Sequence, residues 1–324
     1  MRSLYQSLSK IDQNQNYAVA IIIDTKGSTY RKLGAMMLID QDLNYWGLLS
    51  GGCLEGDIIE HCKAVLSDRC DKIVSYNMRD EADMLWGMGL GCDGEITVLL
   101  KFLPACDKHY HFFSSLEKID AGSNAVLFLE ADNKYEMTFL FGDVIPREQP
   151  TKISIPIKAP HQLLICGASP DVPPVTSIAN QIGWKTTIVD HRLDFSKANK
   201  FPFADRVTHL KRSQWKAFSL NEFDSAIIMS HQFERDTEYL RRLLTSTVGY
   251  IGVLGPTKRR DKLLLECNST FSDHEGRLFG PIGLDIGASS PEAIALAIVS
   301  EIQAVKNGKT ADKKIAFCYQ DKNR

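Results

Sequence analysis

Three stretches in the first hundred residues carry side chains that could do chemistry. Gly51-Gly-Cys-Leu-Glu-Gly-Asp57 sets a cysteine after a glycine pair and just ahead of an expected helix. Successive glycines let backbone N–H groups converge, and a helix N-terminus adds its own. Gly51 and Gly52 therefore predict an anion-binding nest that would lower the thiol pKa of Cys53. A thiolate at that spot is a nucleophile or a soft-metal ligand. Glu55 would either move protons or hold the helix start. The competing reading is a tight strand–helix turn around a buried cysteine. Trp86-Gly-Met-Gly-Leu-Gly-Cys-Asp-Gly94 surrounds Cys92 with glycines, which suits close approach of backbone to a ligand, or simply a loose connection. Gly27-Ser-Thr-Tyr-Arg-Lys32 offers hydroxyls, Arg31 and Lys32 to a phosphate or carboxylate, unless it is an exposed turn.

A second group lies in the other half. Gly167-Ala-Ser-Pro-Asp-Val172 stands between an expected strand and helix, where a dinucleotide fold puts its G-x-G-x-x-G loop. Gly167 supplies the turn, but Ser169 and Val172 replace the other two glycines. Asp190 ends the next strand about 20 residues on, where a carboxylate meets a ribose hydroxyl; Arg192 beside it suits a phosphate. Asp171 and His231 fall at strand ends of the same domain, and Thr257-Lys-Arg-Arg-Asp-Lys262 is a basic helix start or a solvated face.

The elements that must position these residues divide into two patterns. From Tyr17 to Phe141 short apolar strands dominate: Tyr17–Ile23, Ala35–Ile39, Asn44–Leu49, Gly94–Leu100, and a hairpin of Ala125–Leu129 with Glu136–Phe141. One helix is expected over Leu54–Leu66. This is a mixed α+β domain over 1–158. Pro146, Pro150, Pro156 and Pro160 mark a linker or an edge strand at its end. Over 159–324 strands alternate with helices. Leu163–Cys166, Thr186–Asp190, Ser225–Met229 and Tyr250–Leu254 are strands. Val175, Ile178, Ala179 and Ile182 share one helix face, and Ser289-Ser-Pro-Glu292 opens a last helix. That alternation predicts a Rossmann-like, doubly wound parallel sheet, so the chain is expected to be α/β overall.

Composition narrows the function. The 324 residues carry 38 Lys and Arg against 40 Asp and Glu, a net charge of −2, so no bulk basic field favours nucleic acid. The longest apolar runs fall far short of the roughly 20 residues that span a bilayer. The start lacks the apolar core of a signal peptide, and eight cysteines form no C-x-x-C pair. A cytoplasmic protein without disulfides or membrane contact is expected.

Taken in order along the chain, these motifs resemble the XdhC/CoxI family of xanthine dehydrogenase accessory factors. The N-terminal match is Gly27-Ser28, Arg31, Gly34 and Met36, then Gly51-Gly-Cys-Leu-Glu55, then Gly91-Cys92. The C-terminal match is Asp171, Gly183-Trp184, Asp190-His-Arg192, Ser230-His231 with Asp236, Tyr250-Ile-Gly-Val-Leu-Gly255 with Arg259-Arg260, and Pro281-Ile-Gly-Leu-Asp-Ile-Gly287 with Ser290-Pro-Glu-Ala-Ile294. The resemblance implies a chaperone for the molybdenum cofactor (molybdopterin), not the hydroxylase itself. Such a protein protects the cofactor, supports its sulfuration by a cysteine desulfurase, and delivers it to an apo-xanthine dehydrogenase-type molybdoenzyme. It also implies Cys53 and Cys92 at the metal and Arg31 or Gly51–Gly52 at the pterin phosphate. A homodimer is expected of such a protein. Two departures stand out: the family's Gly-Ala-Gly-Pro-Asp reads Gly167-Ala-Ser-Pro-Asp171, and its Cys-Gly-Gly reads Cys92-Asp-Gly94. Two alternatives remain. One is an NAD(P)-dependent oxidoreductase using Gly167, Asp190 and Arg192. The other is an enzyme processing the cofactor's phosphate or nucleotide through a magnesium cluster of Asp171, Asp190 and Asp285.

Overall fold

The computed structural model describes residues 4–5, 8, 11–12, 14–78, 94–105, 107–130, 135–142, 152–194 and 197–309. Cys92 with the glycine-rich stretch 86–93, the hairpin turn 131–134, and Pro146 and Pro150 lie outside these residues. The chain divides into two compact units, Met1–Pro160 and His161–Arg324.

The N-terminal unit is built on a five-stranded antiparallel sheet. Its strands are β1 (Tyr17–Gly27), β2 (Met36–Ile39), β3 (Tyr45–Gly47), β4 (Lys72–Asn77) and β5 (Gly94–Leu103), in the order β3-β2-β1-β5-β4. The apolar run at the start of β1 has no polar alternation because both faces are covered. Ala18, Ala20 and Ile22 pack on α1 (Glu55–Asp68) through Ile58, Cys62 and Val65. Tyr17, Val19 and Ile21 pack on the opposite side with Phe112, Phe113, Leu116 and Ile119 of α2 (Asp107–Asp120). That second core also takes Leu127, Leu129, Ile155 and Ile157 from a three-stranded sheet. Its order is β7-β6-β8, from β6 (Ala125–Glu130), β7 (Glu136–Phe141) and β8 (Lys152–Ile157). The expected hairpin is therefore present as β6–β7. The proline-rich stretch supplies β8, and Pro156 is tolerated because β8 is an edge strand.

The C-terminal unit is a six-stranded parallel sheet. In chain order its strands are β9 (Gln162–Cys166), β10 (Lys185–Asp190), β11 (Arg206–His209), β12 (Ser225–Ile228), β13 (Tyr250–Val253) and β14 (Leu278–Phe279). In space they run β11-β10-β9-β12-β13-β14, which is the 3-2-1-4-5-6 order of a Rossmann fold. Helices cover both faces. On one, α3 (Val172–Gln181) and α6 (Pro291–Lys306) meet Leu163 and Ile165 of β9. On the other, α4 (Phe233–Leu244) and α5 (Thr257–Glu266) meet Leu164 and Cys166. The α/β class and the Rossmann-like parallel sheet expected from the alternation are both observed. No helix among the described residues is long and apolar enough to cross a membrane.

The stretch 281–287 anchors α6. Gly283 has φ +98° and lies so close to Ala297 that a Cβ there would sit 3.1 Å from it. The Gly283 N–H donates to Glu301 Oε1 (3.1 Å), and the Tyr250 hydroxyl donates to the same oxygen (2.5 Å). Glu301 is fully buried, so these two donors satisfy one oxygen of a carboxyl deep in the core.

Candidate functional sites

In the N-terminal unit the turn from β3 to α1 is held by a serine and a carboxylate. Glu55 is buried, and its Oε1 accepts the N–H groups of Leu49 (3.0 Å) and Ser50 (2.7 Å). The Ser50 hydroxyl donates to Glu55 Oε2. Ser50 Oγ in turn accepts from the N–H groups of Gly52 (3.2 Å) and Leu54 (3.0 Å). Burial pushes the Glu55 carboxyl up, but the Ser50 hydroxyl and the surrounding backbone N–H groups outweigh it. The carboxyl therefore titrates below its ordinary value.

Of the two roles expected of Glu55, the geometry fits holding the helix start: its carboxylate builds the turn. The N–H groups of Gly52 and Leu54 do not form an open nest, because both point inward at Ser50. Cys53, next in the turn, packs partly against the core beneath α1. Cys53 is a free, half-buried cysteine flanked by exposed Gly51 and Gly52. Gly52 has φ +107°, and a Cβ there would meet nothing within 4 Å, so the space in front of it is open. Gly51 faces the Tyr30 ring, 3.7 Å from where its own Cβ would be. Tyr30 belongs to the turn between β1 and β2, which is folded by a Thr29 Oγ1 bond to the Arg31 carbonyl (2.8 Å). Ser28 of the same turn rests on Gly94, where a Cβ would come within 2.5 Å of the Ser28 carbonyl. The structure thus brings the Arg31 turn beside the Cys53 turn. Among the described residues Arg31 makes no ion pair. Ser50, the residue that organises this site, had a usable signal: serine hydroxyls bond backbone N–H groups a few residues on.

In the C-terminal unit the candidate residues gather at the carboxyl ends of β9, β10 and β12, at the point where strand order reverses. Gly167 has φ +126°, and a Cβ there would collide with Ser230 backbone at 2.6 Å. Ser169 Oγ lies 2.9 Å from the Met229 carbonyl and contacts Asp171. Asp171 Oδ2 is 2.9 Å from Nε2 of the exposed His231, whose backbone is left-handed at φ +62°. Ser230 Oγ donates to Asp236 Oδ1 (2.5 Å), and Arg259 Nη2 donates to Asp236 Oδ2 (2.7 Å). Arg259, from the basic start of α5, is therefore pinned inward, as is Arg260, which donates to the Gly280 carbonyl (2.5 Å).

Asp190 and Arg192 are brought together, but to each other. Arg192 donates from Nε (3.0 Å), Nη2 (2.7 Å) and its backbone N–H (2.8 Å). The Ala168 N–H adds a further bond to Asp190 Oδ2 (2.8 Å). Burial would raise this carboxyl, but Arg192 and the backbone donors hold it below the usual range. Two N–H groups of the loop also bond within the unit: Gly167 donates to Val189 O (2.9 Å) and Val172 to Ser169 O (3.1 Å), while positions 170, 173 and 174 are prolines with no N–H. Among the described residues no group of three or more His, Cys, Asp or Glu side chains stands close enough to hold a metal ion, and Asp171, Asp190 and Asp285 form no such group. Cys62 and Cys166 are buried, Cys267 is half-buried and Cys70 is exposed; all four are free thiols.

Comparison with known proteins converges on one family. Residues 11–77 match the family model described as the XdhC and CoxI family. Residues 163–302 match the one described as the XdhC Rossmann domain. A crystal structure described as a xanthine dehydrogenase from Bacillus halodurans is 31% identical, with TM-score 0.80 over 95% of this chain and 96% of that one. The chain belongs to the XdhC and CoxI family. Among curated relatives, a protein of Bacillus subtilis (strain 168) named as a probable xanthine dehydrogenase subunit is 28% identical over 93% of this chain and 97% of its own length. The molybdenum cofactor insertion chaperone PaoD of Escherichia coli (strain K12) is 20% identical over 88% of this chain and 82% of its own.

Proposed function

We propose that this protein is a molybdenum cofactor chaperone. It holds the cofactor at the Cys53 turn, protects it, supports its sulfuration by a cysteine desulfurase, and delivers it to an apo-xanthine dehydrogenase-type molybdoenzyme. The observation that carries this reading is a half-buried, free Cys53 set among exposed glycines, beside an Arg31 that makes no ion pair among the described residues. A soft thiolate suits the metal end of the cargo, and a guanidinium suits its phosphate. Cys92 is the second metal ligand in this reading, on the strength of its place in the family motif. The relative named as an insertion chaperone supports the role, and the relatives named for xanthine dehydrogenase support the class of client. The working form is a homodimer, and the protein acts in the cytoplasm.

The Rossmann-like unit serves in this reading as a scaffold and not as an NAD(P) site. Its ribose carboxylate is taken by Arg192, the N–H groups of Gly167, Ala168 and Val172 bond inward, and prolines stand at 170, 173 and 174.

The test is retention of cargo. Purified protein is incubated with molybdenum cofactor and desalted, and molybdenum and pterin are measured together. Wild type is expected to keep both in equal amounts, and Cys53→Ala to lose them. No retention by wild type overturns the proposal.

A further inference from the structure

A second polar site lies against the Cys53 turn. Between the first two turns of α1 and the end of β4 is a pocket of about 260 Å³, lined in part by Leu54, Asp57, His61, Val74, Tyr76 and Asn77. It begins one residue after Cys53. Its volume is just below the range of about 300–1,000 Å³ that holds drug-sized ligands, so it suits one small ring system and not a dinucleotide.

Its polar groups are ordered by one chain of bonds. Lys72 Nζ is 3.0 Å from His61 Nδ1. An ammonium only donates, so Nδ1 accepts and the neutral ring carries its proton on Nε2. That nitrogen faces Asp57 Oδ2 at 3.4 Å, and the Tyr76 hydroxyl donates to the same oxygen at 2.7 Å. Asp57 is thereby fixed as an oriented carboxylate with Oδ2 filled. Oδ1 accepts no hydrogen bond among the described residues. Half-buried Val74 lies on one side of the pocket, and most of the rest of its lining is polar. An oriented carboxylate in such a pocket fits a ring edge carrying amino and ring N–H donors.

We propose that this pocket takes the 2-amino-4-oxopyrimidine edge of a pterin, with Asp57 Oδ1 accepting from the 2-amino group. The proposal rests on the chaperone reading for the identity of the cargo and assigns its pterin end to a place distinct from the thiol.

The test uses the full chain and metal-free probes. Binding of pterin and of lumazine is followed by quenching of ring fluorescence. Lumazine carries an oxo group where pterin has its amino group, so it turns an acceptor toward Asp57. A site built around a hydrogen bond rejects the ligand that lacks it. Wild type is expected to bind the pterin at least about tenfold more tightly than lumazine. Asp57→Asn is expected to lose that preference. Equal binding of the two rings by wild type, or no binding of either, overturns the assignment without need of any variant. So does a folded Asp57→Asn protein with unchanged preference. Molybdenum retention that survives while pterin preference is absent removes the pocket assignment alone. Pterin preference without molybdenum retention removes the chaperone reading and leaves the pocket.

Discussion

The Cys53 turn and the carboxyl edge of the parallel sheet solve the same problem in opposite ways. Each has a buried carboxylate held below its ordinary pKa. Glu55 is satisfied by a hydroxyl and by backbone N–H groups, so it consumes no side chain that a ligand would want. Asp190 is satisfied by Arg192, the very cation that a phosphate would have met. The first arrangement leaves a half-buried free thiol beside a guanidinium that makes no ion pair among the described residues. The second closes on itself. A site's chemistry depends less on which residues are present than on which of them the fold has already used.

The largest expected effect tests the first arrangement. Glu55→Ala strands the N–H groups of Leu49 and Ser50 and removes the partner of the Ser50 hydroxyl. Several buried donors lose their acceptor, so the loss should be about 3 kcal/mol, read from urea unfolding. Loss below about 1 kcal/mol would show that the turn is held by its backbone alone. Asp190→Asn should cost less, about 2 kcal/mol, because partly exposed Arg192 can turn to water when its partner is weakened.

Acid sharpens the comparison. The folded values of Glu55 and Asp190 lie below their ordinary 4.5 and 3.8. Folding therefore favours the ionised forms. Their contribution is complete above those ordinary values and is lost as pH falls through the lowered folded ones. Buried His161, its pKa lowered to about 4, should bring the melting temperature down already below about pH 6.5, and Glu55 and Asp190 should steepen that fall below about 4.5. Glu55→Gln should start from a lower melting temperature and lose less of it in acid.

Smaller effects probe the closed edge. Ser169→Gly restores the second glycine of the loop. NADH binding should nonetheless stay weaker than about 1 mM in a fluorescence titration, since the prolines and the Asp190–Arg192 pair remain. Binding in the micromolar range would mean that Ser169 alone shuts the site. His231→Gly should change stability least, with a gain of at most about 1 kcal/mol from relief of the left-handed backbone, offset by loss of the Asp171 contact.

Much of the scaffold is legible in the residues alone. The run Tyr17–Ile23 reads as a strand because burial on both faces demands continuous apolar residues. The i, i+3, i+4, i+7 spacing at Val175 reads as α3. Two elements escape such a reading. The α2 helix keeps Phe112, Phe113, Leu116 and Ile119 on one buried face, but the polar residues around them mask the period. The β4 strand is mostly exposed at the sheet edge and has little apolar pattern to find. Within the sites, the types and spacing at Cys53 and Arg31 are visible, whereas their neighbours are not. The Ser230–Asp236–Arg259 bonds link residues up to 29 positions apart across three elements, and only the sheet brings them together. Pairing of Asp190 with Arg192 is hidden for a different reason: two residues each suited to a ligand are also suited to each other.

The contact of Gly167 with Ser230 has a further consequence. A single hydrogen in place of a side chain lets the first turn of the parallel sheet seat itself directly on the end of β12. The sheet's two halves are thereby stitched at the seam where open α/β proteins usually part to admit a guest. Any substitution at residue 167 acts as a wedge in that seam. Its effect should travel through Ser230 and Asp236 to Arg259, so that a change of one atom type at β9 is felt at the head of α5.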